Sequence, residues 1–217
     1  MRHIIFVKIT ELEYYRGITA TDRPYKGGSY VKETGDAHES YNFDPVKLND
    51  EDVCLGFVML IGNSRNSDIQ IRLENIIGCK NFKNQDSVDD VIVVWCAPNE
   101  KSKTMRVVGF YKNATVYRHT QHVDIVDGEG NFVCEQYYNF IADKKDCVLL
   151  PLRERFMKSE WFVPLSGKYG YDFGFGHSNV WFANGKYFNP DEQAFAQQMI
   201  KNIENYNGEN IMDKVVD

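Results

Sequence analysis

Close cysteine pairs are missing from this chain. Its five cysteines, Cys54, Cys79, Cys96, Cys134 and Cys147, are widely spaced and contain no CxxC. Neither a zinc ribbon nor a thioredoxin-type centre can be assembled from such a set, and the odd number does not make a disulfide framework. Most lie in apolar runs, as in Val53-Cys54-Leu55 and Trp95-Cys96-Ala97, so buried free thiols in a reducing cytoplasm are expected. Long hydrophobic runs are missing too. No segment approaches the roughly 20 apolar residues of a membrane helix. The opening run Ile4-Ile5-Phe6-Val7 is cut off by Lys8 and is too short for a secretory core. A soluble, cytoplasmic protein without membrane contact is the expectation.

Positive charge is short as well. Lys and Arg number 25 against 31 Asp and Glu, a formal net charge of −6. That balance argues against a protein that coats DNA or RNA, and leaves room for a local basic cleft that reads a short site. Catalytic signatures are likewise absent. There is no GxSxG, and Gly167-Lys168-Tyr169-Gly170 lacks the GK[ST] ending of a phosphate-binding loop. Asp89, Asp90, Glu100, Lys101 and Lys103 approach a PD-(D/E)xK nuclease pattern, but Ser102 stands where the lysine of that pattern belongs. His119, His122 and Asp124 offer metal-binding side chains, yet positions three apart on a strand face opposite ways and no further ligand is evident. His38 and Glu39 are adjacent, so on an extended chain they diverge. No catalytic residue, metal or cofactor is therefore assigned.

What the chain has is aromatic residues, 14% of the total, with 14 Phe and 13 Tyr against 3 Trp. Flat rings suit pleated, half-buried surfaces, which favours a β-rich fold. Strands are expected at Ile4–Ile9, Val53–Ile61, Ile69–Leu73, Val91–Ala97 (ended by Pro98), Met105–Tyr111, Thr115–Arg118, Phe132–Ala142, Cys147–Leu150 and Asn179–Phe182. Residues 11–49 read as a long irregular segment, with turn signals at Gly27-Gly28 and Gly35-Asp36. One strong helix stands out. Asn189 is its N-cap, Pro190 its first residue, Phe195, Met199, Ile203 and Tyr206 its apolar stripe, and Gly208 its stop. A shorter helix is expected over Arg153–Met157. The fold class is α+β, a strongly curved sheet or small barrel with a C-terminal amphipathic helix. Residues 1–208 are expected to form a single recognition domain, and 209–217 a tail or linker.

The candidate site rests on three groups of residues. Lys112 and Asn113 are read as the turn of a hairpin whose strands also carry Arg118; amide, ammonium and guanidinium together suit a base edge and its phosphate, while Lys-Asn is equally ordinary turn chemistry. Trp161 and Trp181 have polar neighbours and are candidate walls of a base pocket, with core or rim packing as the alternative; Trp95 lies in the most apolar strand and belongs to the core. Gly167 to Ser178 alternates glycine with aromatics, which makes Tyr169 and Tyr171 stacking candidates, Lys168 a phosphate candidate and Asn179 a base-edge candidate.

Gly109 to Arg118, Gly27-Gly28-Ser29-Tyr30-Val31, His38-Glu39-Ser40-Tyr41-Asn42-Phe43 and His177-Ser178-Asn179-Val180-Trp181-Phe182 together resemble a little-characterised bacterial module at the N-terminus of restriction-endonuclease-like proteins. The resemblance runs from about Tyr30 to the terminal helix. It implies a sensing part in restriction or antiviral defence, with DNA as partner and an effector nuclease in a separate domain or chain, since no HNH-like Cys/His pattern occurs here. The aromatic, strand-rich composition is also loosely similar to PUA-like modules of the EVE and YTH kind, which hold a modified base in an aromatic pocket. The expected function is recognition of a modified or flipped base in DNA. The alternatives are a metal-dependent nuclease or nucleotide hydrolase, and a protein-interaction domain.

Overall fold

The β-branched and aromatic runs assemble into one open, mixed sheet. The computed structural model describes residues 2–23, 38–60, 69–99, 104–168, 170–184 and 189–214. The strands among them are β1 (His3–Lys8), β2 (Pro45–Leu48), β3 (Glu51–Gly56), β4 (Ser87–Asn99), β5 (Thr104–Val126), β6 (Phe132–Asp143), β7 (Cys147–Leu149), β8 (Phe162–Val163) and β9 (Val180–Trp181). Their order is β2-β3-β6-β5-β4-β1-β9, and β7 and β8 also pair with β5. β1 and β4 run parallel, and the other pairs are antiparallel. With α1 (Leu152–Met157) and α2 (Pro190–Glu204), this is the expected α+β class. The barrel alternative is not formed: the sheet ends at β2 on one side and at β9 on the other.

The central strands are buried on both faces, which explains the continuous apolar run of β4. One face carries Ile4, Phe6, Ile92, Val94 and Phe110 and packs under Ala196, Met199 and Ile203 of α2. The opposite face carries Ile5, Val7, Val93, Trp95 and Tyr111 and is covered by Leu12, Tyr15, Phe43, Ile71 and Leu73. Trp95 meets Tyr111 and Phe140 edge-on, at 5.3 and 5.1 Å. Gly109 makes room in β5 for Phe43: a Cβ there would lie 2.5 Å from both the Phe43 ring and the Val148 carbonyl. The helix N-terminus forms as expected, with Asn189 accepting from the backbone N–H groups of Asp191 and Glu192.

Four local expectations change. The hairpin at Lys112-Asn113 does not exist; β5 runs straight through it, and Asn113 (φ 51°) is a bulge close to Asp90 (φ 58°) of β4. Residues 69–73 are not a strand. The alternation there arises because Ile71 and Leu73 are buried under the sheet while Ile69 is exposed, and Leu73–Asn75 forms a 3₁₀ turn. Pro98 does not end β4. The register with β1 stops at Cys96, so the missing N–H removes no bond on that side, and β4 continues to Asn99. Finally, the segment after Gly208 is docked. The Ile211 N–H donates to the Leu149 carbonyl, Asn210 bonds the Leu149 N–H and the Cys147 carbonyl, and Ile211 and Met212 are buried.

Arg155 of α1 ties the N-terminal segment to the sheet. Its fully buried guanidinium donates to the carbonyls of Leu150 (2.7 Å), Leu12 (2.6 Å) and Glu13 (2.6 Å). No lysine can reproduce that fork. Arg155→Lys is expected to lower stability by roughly 2–4 kcal/mol, since buried carbonyls lose charged donors. Denaturant unfolding checks this, and an unchanged midpoint would show that the carbonyls find other donors.

Candidate functional site

β5 passes Arg118 at the point where β4 begins, and the side chain turns inward. Its donors reach the Gln85 carbonyl (2.8 Å), Gln70 Oε1 (2.8 Å), Glu74 Oε2 (3.1 Å), and the carbonyls of Phe82 (2.7 Å) and Lys83 (2.8 Å). A guanidinium has five N–H groups, so this set occupies all of them. With 7% exposure, Arg118 is an anchor for residues 70–86 and has no donor left for a phosphate. Asn113 is exposed and accepts from Arg2 Nη2 at 2.7 Å. Lys112 lies over the Phe110 ring, 5.6 Å from its centroid. The three do not converge on one ligand position.

The two tryptophans belong to one apolar layer beneath α2 but differ in access. Trp161 has 0% exposure and packs between Phe110 (6.1 Å) and Tyr206 (5.8 Å), so it presents no wall to a ligand in this conformation. Trp181 is half-buried and donates its indole N–H to Glu192 at 2.8 Å. Asn179 donates to the Met59 carbonyl at 2.8 Å. Tyr169 lies outside the described residues, as do Gly27 to Val31, Gly35-Asp36 and Glu100 to Lys103. Of the nuclease-like acids, Asp90 sits at the β4 bulge and Asp89 accepts from the Thr115 hydroxyl at 2.7 Å.

The glycine-aromatic loop makes the more informative arrangement. Its backbone closes on itself through Phe175 N–H to the Pro164 carbonyl, Ser166 N–H to the Phe175 carbonyl and Gly167 N–H to the Tyr171 carbonyl. Gly174, at φ 117°, lies so close to the Pro164 carbonyl that no side chain fits there. This places a ladder of rings along the surface. Phe162 of β8 meets Tyr171 at 5.7 Å, Tyr171 meets Phe173 at 5.4 Å, and Phe173 meets Trp181 at 6.3 Å and Phe195 at 6.1 Å. All five rings are half-buried. Arg106 of β5, paired with Phe162 in the sheet, holds its guanidinium over that ring at 5.2 Å. Lys168 is exposed in the same loop, where it pairs with Tyr171. Asp172, bonded by Asn189, and Glu192, bonded by Trp181, bring acid to the other end.

Tyr171 and Lys168 of this candidate surface are suggested by the glycine-aromatic spelling. Phe162 and Arg106 are not, because only the β5–β8 register brings them together. A separate cleft lies elsewhere among the described residues. It measures about 500 Å³ and is lined by Glu51, Asp52, Asp143, Lys144, Lys145, Asn210 and Asp213. Its charges pair with each other, Lys144 with Asp213 and Lys145 with Asp143, both at 2.7 Å. None of these lining residues carries a ring to stack on, so the ladder is the stronger candidate. Comparison with known proteins finds no matching family model, no similar curated protein and no similar solved structure.

Glu39 accepts from the Thr10 N–H at 3.1 Å, and burial pushes its carboxyl above the usual range. A raised folded-state value favours the protonated acid. The associated stability is therefore full at low pH and is lost as pH rises through the folded value. Glu39→Gln keeps the acceptor and removes the charge, so its melting temperature should exceed that of the parent by a few degrees at pH 7 and by less at pH 4. A pH-independent difference would refute the assignment. For Arg118→Lys, a stability loss on the order of 2 kcal/mol is expected in urea titrations, because one ammonium cannot serve five acceptors. Unaltered stability would free Arg118 for a ligand.

Proposed function

We propose that this chain is a nucleic-acid recognition module that stacks an extruded or modified DNA base on the Phe162–Tyr171–Phe173 ladder. The observation that carries the reading is the ladder itself: half-exposed rings in series with Arg106 at one end and Lys168 beside it. Aromatic faces accept any base, and each stack is worth roughly 1–3 kcal/mol, comparable to the few kcal/mol needed to extrude a base. Phe195 and Trp181 support the ladder from below, and the Trp181 bond to Glu192 fixes that ring on α2. Arg106 and Lys168 supply the phosphate contacts that Arg118 cannot. The resemblance to modules of restriction-endonuclease-like proteins supports a defence context, with cleavage assigned to a separate effector.

The test is a titration of labelled duplexes carrying unmodified, methylated, hydroxymethylated or mismatched bases, at 50 and 200 mM salt. With two phosphates held, log affinity should fall with log salt at a slope of about −1.8. Tyr171→Ala should weaken binding about 5- to 100-fold, the equivalent of roughly 1–3 kcal/mol. Arg106→Gln should reduce the slope by about 0.9. Absence of binding to every duplex and single strand, or binding indifferent to Tyr171→Ala, would overturn the proposal.

A further inference from the structure

The far end of β5 forms a different surface. Beyond Tyr117, the last residue paired with β4, β5 continues to Val126 against Phe132–Tyr138 of β6. β3 joins β6 only from Phe140 onward, so among the described residues this arm is two strands wide. Its turn is held firmly: Asp127 accepts from the N–H groups of Glu129 and Asn131, both at 2.9 Å, and the Asn131 bonds pull its carboxyl below the usual range. Val126, Phe132 and Val133 are exposed at the tip, at 55, 65 and 58%. A register shift between the Ile125–Cys134 and Val126–Phe132 pairs leaves Val133 as the extra residue, which sets two apolar side chains side by side.

Charge decides what fits there. From His119 to Tyr138 the arm holds Asp124, Asp127, Glu129 and Glu135, and no Lys or Arg. Asp124 stands opposite Glu135 across the two strands. Such a surface repels phosphate. It also disfavours a second copy of the arm, because edge-to-edge pairing would set carboxylates against carboxylates. A two-stranded ribbon gains from a third strand, and exposed apolar side chains gain from cover. We infer that the arm is a docking prong for a protein partner: an extended segment in which Lys or Arg alternates with apolar residues, added as a strand along the arm. Arg106 and Val126 lie at opposite ends of β5, on the order of 50–60 Å apart at ~3.3 Å per residue less the bulges. The prong is therefore separate from the ring ladder, and the inference does not depend on the proposed DNA reading.

The probe is a ten-residue peptide alternating lysine with valine, compared with its glutamate–valine counterpart, on the full chain. Fluorescence anisotropy should show binding of the lysine peptide alone, weakened at least tenfold by Asp124→Asn with Glu135→Gln, and separately by Phe132→Ser. Hydrogen exchange should slow at amides of 119–139. Tyr171→Ala should leave peptide binding unchanged. All the altered arm residues lie on the projecting ribbon, and unchanged melting temperatures would confirm that the variants fold. Equal binding of the glutamate peptide, or no protection of the arm, would overturn the inference. So would concentration-dependent self-association that Phe132→Ser abolishes, which would assign the surface to a second copy.

Discussion

Everything in this fold is arranged around the need to satisfy one unusually long strand. β5 spans 23 residues, and each of its edges must find partners wherever it is buried. β4 serves one edge from Thr104 to Tyr117. The other edge is served in turn by β8 at Met105–Arg106, by β7 at Gly109–Tyr111 and by β6 from Thr115 onward. Those three are successive stretches of chain with detours between them. A 3₁₀ turn over Lys144–Asp146 separates β6 from β7, and α1 with the Ser159–Trp161 turn separates β7 from β8. The detours supply the side chains that cover the sheet, among them Arg155 and Trp161. Gly109 is where the constraint is tightest, since the Phe43 ring and the Val148 backbone both approach its Cα.

Local chemistry was readable where its outcome is decided locally. The Asn189 cap, the Pro190 start and the stripe of α2 follow from side chain–backbone bonding and a 3.6-residue period, so sequence and structure agree. Lys112-Asn113 shows the opposite case. Asparagine tolerates positive φ both in a hairpin turn and in a bulge, and the residues alone do not distinguish them. The choice was made by Asp90, which adopts positive φ in the neighbouring strand and lets β4 and β5 stay paired past the irregularity. Residues 69–73 mislead in the same way, because burial of Ile71 and Leu73 produces alternation without a ladder.

The candidate site was legible only in part, for a related reason. Polar neighbours suggested that Trp161 was accessible, but a 3₁₀ turn aims the ring at Phe110 while leaving Ser159 and Glu160 outside. Arg118 has the right chemistry for phosphate, and its five acceptors come from residues 70–85, none of them near it in sequence. The glycine-aromatic loop stands out in the sequence as a unit, and its backbone does close on itself, because glycine spacing permits closure wherever the loop sits. Its cationic partner was invisible, since Arg106 and Phe162 meet only through strand pairing.

The formal charge of −6 would weigh against nucleic acid if charge were spread evenly. It is not spread evenly. The prong from His119 to Tyr138 holds four carboxylates without a Lys or Arg, at the opposite end of β5 from Arg106. At physiological salt the Debye length is about 8 Å, so those carboxylates are screened from a ligand at the ladder tens of ångströms away. In the proposed reading, a ligand at the ladder meets Arg106 and Lys168 against Asp172 and Glu192. Both acids already accept a hydrogen bond, from Asn189 and Trp181 respectively. The same screening keeps the ladder's cations from repelling the basic segment inferred to dock on the prong. In the proposed arrangement two ligands of opposite charge share one strand with little mutual interference, as joining a DNA site to a protein partner requires.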